Sequence, residues 1–378
     1  MHRQKLYIIG HNPNTLSEVE EFLRAGANAL EPDICYDPKK PERYFVSHGT
    51  IGANPFTAEH SLVTYLTGLR QMLTDPANNF NLALIAFDTK TPSFDINEFI
   101  NIVFENFSKY DVCRDTAILI TVGSVSDMAF LNAYDQSKEN VAVGVDEESS
   151  PAKVEEGFKS AGQRSFTYAN GNLIPSIKFG LFKSIMRAKA LQAGAGDAGF
   201  KLIYAWVLNR DSYLRSYLNL HIDGMIVDVH TVPNLLEMIS EDRYAEMYEL
   251  ARSGYNPFIA PAPPRYLLTI KTSDTHRAGT DVPVRFTLEG SRGVVESTLD
   301  SHFSDVLERG ETDFLVLEGR DIGDITSLTI TQLRPGPYSG WLCESIKLES
   351  PLIQSPLIFN FKPDEWLTYG QTMTKKPS

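Results

Sequence analysis

Ala29-Leu30-Glu31-Pro32-Asp33-Ile34 is a short apolar run that closes on two carboxylates. Read as a strand, it sets Glu31 and Asp33 on one face, because side chains alternate sides with period two. Leu84-Ile85-Ala86-Phe87-Asp88-Thr89-Lys90 repeats the pattern, with Asp88 and Lys90 sharing a face at the end of an apolar run. In a closed parallel barrel that face is the interior, and the C-terminal end of each strand is the mouth that carries chemistry. Carboxylates gathered there repel one another unless a cation lies between them. A hard cation such as Mg2+ takes a few carboxylate oxygens and keeps positions open for a phosphate. Glu31, Asp33 and Asp88 are therefore candidate metal ligands, and Lys90 a candidate phosphate clamp. One acid at a strand end more often shapes a turn or a cap; three at matching positions point to a site.

Working outward, strand-like segments recur at residues 6–10, 29–34, 82–88, 117–122, 141–145, 165–168, 202–207 and 224–228. Helical spacing fills residues 17–25, 58–73, 96–109, 151–161, 177–191, 212–219 and 232–253, as in Val19, Phe22, Leu23 or Ile185, Ala188, Leu191. Eight strands alternating with helices predict an α/β fold, a (β/α)8 TIM barrel over residues 1–254. A doubly wound sheet is the rival, but no glycine-rich phosphate turn follows the first strand. Residues 44–47 form an extra strand, read as a hairpin after the second barrel strand.

The pattern changes near residue 255. Pro257, Pro261, Pro263 and Pro264 mark residues 255–264 as a linker. Beyond it, period-two segments such as Val282-Pro-Val-Arg-Phe-Thr-Leu and Trp341-Leu-Cys-Glu-Ser-Ile-Lys-Leu predict an all-β sandwich over residues 265–370. Residues 371–378 read as a flexible tail.

Composition narrows the function classes. A net charge of −13 argues against nonspecific nucleic-acid binding, which needs cationic surface. Cys35, Cys113 and Cys343 are sparse and odd in number, so they give neither a disulfide framework nor a paired zinc motif. No run approaches the length of a membrane span, and Leu6-Tyr7-Ile8-Ile9 is too short for a signal core and reads as a first strand.

His11 follows the first strand in Gly10-His11-Asn12-Pro13-Asn14, and His48 follows the hairpin strand in Val46-Ser47-His48-Gly49. A lone histidine is usually structural, but these two both reach the acidic mouth. One imidazole can take a proton while the other gives one, as cleavage of a phosphodiester needs. Trp206 ends the seventh strand, where it would either hold a quaternary ammonium by cation–π attraction or pack in the core. Asp228 could add a charge contact to such a head group. No serine-nucleophile elbow and no phosphate-binding loop is present.

Taken in order, Gly10-His-Asn-Pro-Asn14, Gly26-Ala-Asn-Ala-Leu-Glu-Pro-Asp33, Ser47-His-Gly49, Phe87-Asp-Thr-Lys90, Ala205-Trp-Val-Leu-Asn209 and Asp223-Gly-Met-Ile226 resemble the glycerophosphodiester phosphodiesterase-like family. The likeness is nearest to its sphingomyelinase D / phospholipase D toxin branch, and Tyr255-Asn-Pro-Phe258 resembles the tail that plugs the barrel floor there. The resemblance implies Mg2+ on Glu31, Asp33 and Asp88, with His11 and His48 as the catalytic pair. It also implies substrate contacts from Lys90, Tyr204 and Trp206, with Asn14 and Asp228 grouped beside them. The implied reaction releases a head-group alcohol, commonly choline, from sphingomyelin or a lysophospholipid and can leave a cyclic phosphate. Hydrolysis of small soluble glycerophosphodiesters is the alternative, and an inactive lipid-binding scaffold a third. Asn209 and Asp228 depart from the branch's usual acid and asparagine, which bears on head-group preference.

The second domain resembles a PLAT/LH2 module through Thr272-Ser-Asp274, Ala278-Gly-Thr-Asp281, Arg309-Gly-Glu-Thr-Asp-Phe314 and Trp341-Leu342. That likeness implies a peripheral membrane surface as partner and makes Asp274 and Asp281 candidate Ca2+ ligands. No nucleic acid is expected, a monomer is expected, and the expected compartment leans extracellular.

Overall fold

The computed structural model describes residues 3–47, 60–146, 150–171, 181–196, 198–300, 306–336 and 339–378. Eight parallel strands close on themselves: β1 (Gln4–His11), β2 (Ala29–Glu31), β3 (Leu84–Thr89), β4 (Ala117–Val122), β5 (Val141–Val145), β6 (Ser165–Gly171), β7 (Gly199–Trp206) and β8 (Gly224–Val227). Closure is direct, since β1 pairs with β2 through Ile9↔Ala29 and with β8 through Tyr7↔Gly224. The expected (β/α)8 barrel is the fold of the first domain.

The strands read as continuous apolar runs because both faces are buried. Outward residues such as Ile8, Ile85, Phe87, Ile118 and Val143 pack under the helices. The inward set is separate and unevenly sized: Tyr7, Leu84, Leu119, Leu202 and Tyr204 face Ala29, Ala86, Ala142 and Ala169. Gly144 belongs to this interior, where an added Cβ would lie 2.0 Å from Thr167 Oγ1. Phe258 and Tyr255 join the inward cluster from below, so the chain after the last helix plugs the barrel floor.

Local signals explain the edges. Thr15 and Glu18 form a capping box that starts the helix Leu16–Ala25, and Gly26, at φ 101°, ends it in the left-handed conformation glycine tolerates. Pro32 divides the second strand into Ala29–Glu31 and Asp33–Tyr36, because proline brings no N–H to a ladder. The segment Asp33–Tyr36 continues into a hairpin with Tyr44–Val46.

Two expectations need correction. Residues 232–253 are not one helix: after Val232–Ser240 and Asp242–Met247, Tyr248–Leu250 forms a strand beside β1. Glu241 is extended (ψ 139°) and breaks the helix. The lower end of β1 is free to pair there, because its ladder with β8 begins only at Tyr7. The predicted flexible tail also fails, since Thr372–Lys375 pairs antiparallel with Ile325–Gln332. That strand alternates exposed and half-buried residues, and its mostly polar outer face hid it.

The second domain is a sandwich of two antiparallel four-stranded sheets. Tyr266, Leu268 and Ile270 alternate into its core beside the fully buried Trp341, whose ring N–H donates to Thr272 Oγ1 at 3.1 Å. None of the described helices is long and apolar enough to cross a membrane.

Barrel and sandwich meet through buried charge. Lys189 Nζ lies 2.8 Å from Glu318 Oε1 and 3.4 Å from Asp223 Oδ1, and Arg265 Nε lies 2.9 Å from the same Glu318 oxygen. Burial pushes the Glu318 carboxyl up, but Arg265 and Lys189 outweigh it and hold it at about 2. Burial holds the neighbouring His221 down at about 4. In both cases the unfolded chain binds the proton first, so stability falls as pH falls. The loss is expected between about pH 6.5 and 4 for His221 and between about 4.5 and 2 for Glu318. Thermal unfolding across this range checks it; a melting temperature unchanged from pH 7 to 4 contradicts it.

Candidate active site

The mouth is assembled by strand register. His11 on β1 lies opposite Glu31 on β2, and Asp33 lies opposite Asp88 on β3. Glu31, Asp33 and Asp88 are all buried, and one carboxylate oxygen from each lies within 4.8 Å of the others. Lys90 Nζ stands 2.9 Å from Asp33 Oδ1 and also contacts Asp88.

The electrostatics ask for more positive charge than Lys90 brings. Burial raises the Glu31 carboxyl well above its ordinary range, and Asp33 and Asp88 raise it further. For Lys90, burial acts to lower the pKa, but Asp88 and Asp33 outweigh it and hold the ammonium charged. Three buried carboxylates against one ammonium form an all-oxygen, electron-rich donor set that fits a hard divalent cation.

Two asparagines hold these acids in place. Asn14 donates from Nδ2 to Asp33 Oδ2 at 2.7 Å and accepts from the Asp33 N–H at 2.9 Å. Asn12 sits at φ 51°, a left-handed conformation asparagine tolerates, and its backbone N–H reaches Glu31 Oε2 at 3.1 Å. With its amide nitrogen turned to the carboxylates, Asn12 also donates to Glu31 and Asp33, and its oxygen accepts from His11 Nε2 at 3.2 Å.

His11 is oriented from its other side. Its Nδ1 lies 3.2 Å from Asp228 Oδ1, while Asp228 Oδ2 accepts from Asn209 Nδ2 at 2.5 Å. Asn209 Oδ1 in turn accepts from the Asp228 N–H and from the Thr231 hydroxyl, each at 3.0 Å. Asp228→Ala is expected to lower kcat roughly 10–100-fold with little change in KM, as loss of a histidine's orienting partner commonly does. A KM-dominated effect would instead make Asp228 a head-group contact.

The structure thus gathers His11, Glu31, Asp33, Asp88, Lys90, Asn14, Tyr204, Trp206 and Asp228 at one mouth. Asn14 and Asp228, expected to face substrate, are engaged with Asp33 and His11. Tyr204 is 2% exposed and forms the layer beneath the acids. Burial pushes its hydroxyl pKa well up, and Asp146, Glu31 and Asp88 add to the shift. Trp206 is half-buried, with its ring N–H on the Asp146 carbonyl at 2.6 Å, which leaves part of the indole to line the opening. Gly171 makes room for it, since a Cβ there would lie 1.6 Å from the Trp206 carbonyl oxygen. His48 lies outside the described residues.

From sequence, Asn12 and Asp146 have no assigned role, and Asn209 only a bearing on head-group preference. Asp146 carried a usable signal, since it shares parity with Ala142 and Gly144 at the end of β5. In the sandwich, Asp274 is ion-paired with Arg309 Nε at 2.8 Å. Neither Asp274 nor Asp281 joins a cluster of three His, Cys, Asp or Glu ligands among the described residues.

A (β/α)8 barrel with three buried carboxylates, a lysine and a partnered histidine at its mouth has the groups that a metal-dependent phosphodiesterase needs. The model of the family described as Dermonecrotic toxin SPH matches residues 1–258, and that of the PLAT/LH2 domain matches residues 266–375. The chain belongs to the dermonecrotic toxin SPH family and carries a PLAT/LH2 domain behind its barrel. Among similar proteins, Dermonecrotic toxin LamSicTox-alphaIC1 of Loxosceles amazonica is 23% identical over 274 residues, covering 67% of this chain and 98% of its own. Dermonecrotic toxin LapSicTox-alphaII1 of Loxosceles apachea is 24% identical over 280 residues, with the same two coverages of 67% and 98%.

Proposed function

We propose that the protein is a Mg2+-dependent phosphodiesterase that releases the head-group alcohol, choline foremost, from sphingomyelin or lysophospholipids. The observation that carries this reading is the buried cluster of Glu31, Asp33 and Asp88 beside an oriented His11. Mg2+ held by the three carboxylates would stabilise negative charge on the phosphoryl oxygens.

The chain's own groups do the rest. Lys90 adds a fixed positive charge at the phosphate position. His11, aligned by Asp228, exchanges a proton on one side of the scissile bond. His48, assigned by its place in the sequence, does so on the other. When a hydroxyl of the substrate attacks phosphorus, one imidazole takes its proton and the other protonates the departing alkoxide. The products are then the free alcohol and a cyclic phosphate. The half-buried indole of Trp206 suits a quaternary ammonium at the mouth. The PLAT/LH2 domain supports action at a lipid surface, and the relatives' description as toxins supports action outside the producing cell. Every group invoked comes from one chain, so a monomer suffices.

Choline release from sphingomyelin and from lysophosphatidylcholine micelles, measured beside glycerophosphocholine, tests the reading. Lipid turnover at the higher kcat/KM supports it. Brisk cleavage of glycerophosphocholine with inert lipids replaces it with a soluble diesterase, and no turnover of any of the three leaves a lipid-binding scaffold.

A further inference from the structure

On the far side of the barrel from the mouth, a cavity of about 490 Å3 lies between the barrel floor and the sandwich. Arg243 reaches it from the barrel, and Arg285 and Arg320 from the sandwich. Arg243 donates to Thr298 Oγ1 at 2.9 Å. The Arg285 Nε is buried without a hydrogen-bond partner, and Glu296 stands 3.8 Å away. Among the described residues, the Arg320 guanidinium makes no hydrogen bond or ion pair; it packs over Gly293. His221, 2% exposed, forms part of the same wall, and its Nε2 is buried and unpartnered.

Acids also face the cavity: Glu246, Glu296 and Glu318. Glu318 is already matched by Lys189 and Arg265. Three guanidinium groups from two domains therefore converge against two carboxylates that are not so matched, with a buried imidazole beside them. The Arg285 Nε and the His221 Nε2 are polar atoms buried without a partner, which is costly, and planar guanidinium forks match the paired oxygens of phosphate.

We propose that this interdomain cavity binds a small soluble phosphomonoester, held between Arg243 of the barrel and Arg285 and Arg320 of the sandwich, with His221 as a further hydrogen-bonding group. The volume exceeds what a bare phosphate needs and falls in the range of small-ligand pockets, roughly 300–1,000 Å3. Met247 and Val295 supply apolar wall for a short carbon skeleton. Because the clamp draws on both domains, the ligand would tie the sandwich to the barrel and raise the protein's thermal stability by mass action. This site shares none of these residues with the mouth and does not depend on the activity proposed above.

Titration of the full chain in EDTA with glycerol 3-phosphate, read by thermal shift and phosphorus NMR, tests it. Saturable binding is expected, weakened about tenfold or more by Arg320→Ala or Arg285→Ala through loss of a charge-assisted pair. Arg320 is exposed, so its variant should fold as the parent does. Lys90→Ala, at the opposite end of the barrel, should bind like wild type. No saturable binding at millimolar ligand overturns the proposal. So does binding that survives both arginine variants, or that disappears with Lys90→Ala and so belongs to the mouth. Binding confined to phosphatidate vesicles overturns the soluble ligand.

Discussion

Asp33→Asn is expected to lower phosphodiesterase activity about a thousandfold or more, on the scale of losing a preorganised charge contact at a reacting phosphate. Asp33 is 0% exposed and lies at the centre of the mouth. It ion-pairs with Lys90 and is gripped from both sides by Asn14. The amide keeps the shape and removes one of three negative charges, so cation affinity should fall with activity. Folding should not suffer in step. Asp33 is one of the two acids that push the Glu31 carboxyl upward, so neutralising it relieves like-charge repulsion. In metal-free buffer the melting temperature of Asp33→Asn should therefore equal or exceed that of the parent. A large loss of stability would show that the acids are held for folding and not for chemistry.

His11→Ala is the second large effect, with kcat expected to fall about 100- to 10,000-fold, the range that general acid–base catalysis supplies. His11 terminates β1 and is partly exposed, bound at Nδ1 by Asp228 and bordered by Asn12. Among the described residues it belongs to neither apolar core cluster, so circular dichroism and melting should match the parent. Mg2+ affinity should also persist, because His11 is not among the three clustered acids. The pair of variants separates two roles. Asp33→Asn loses the cation and turnover together, whereas His11→Ala keeps the cation and loses turnover. Full activity in His11→Ala would remove the acid–base assignment.

Much of this was legible because strand parity is rigid. Once residues 29–34 and 84–90 are read as barrel strands, the faces of Glu31, Asp33, Asp88 and Lys90 follow. The contacts that hold them were not legible. Asn12, Asn14 and Asn209 act through amide orientation and a left-handed backbone, and nothing in residue spacing encodes either. Asp228 looked like a substrate contact because its strand-end position matches the other acids. Its 3.2 Å approach to His11 Nδ1 is not encoded in residue spacing. The final strand, Thr372–Lys375, was missed because Thr-Met-Thr-Lys carries little hydrophobic signal and gains its order from pairing with Ile325–Gln332. The Lys189–Glu318–Arg265 contact joins residues far apart in sequence and is decided by docking of the two domains.

Mg2+-dependent head-group release is tested by phosphorus NMR of sphingomyelin and lysophosphatidylcholine reactions, run with Mg2+, with EDTA, and with Mg2+ restored. The expected result is loss of the diester signal with equimolar choline release, appearance of a cyclic or monoester phosphate, arrest by EDTA and recovery with Mg2+. Turnover that continues unchanged in EDTA, or a product that keeps choline on phosphorus, would contradict it.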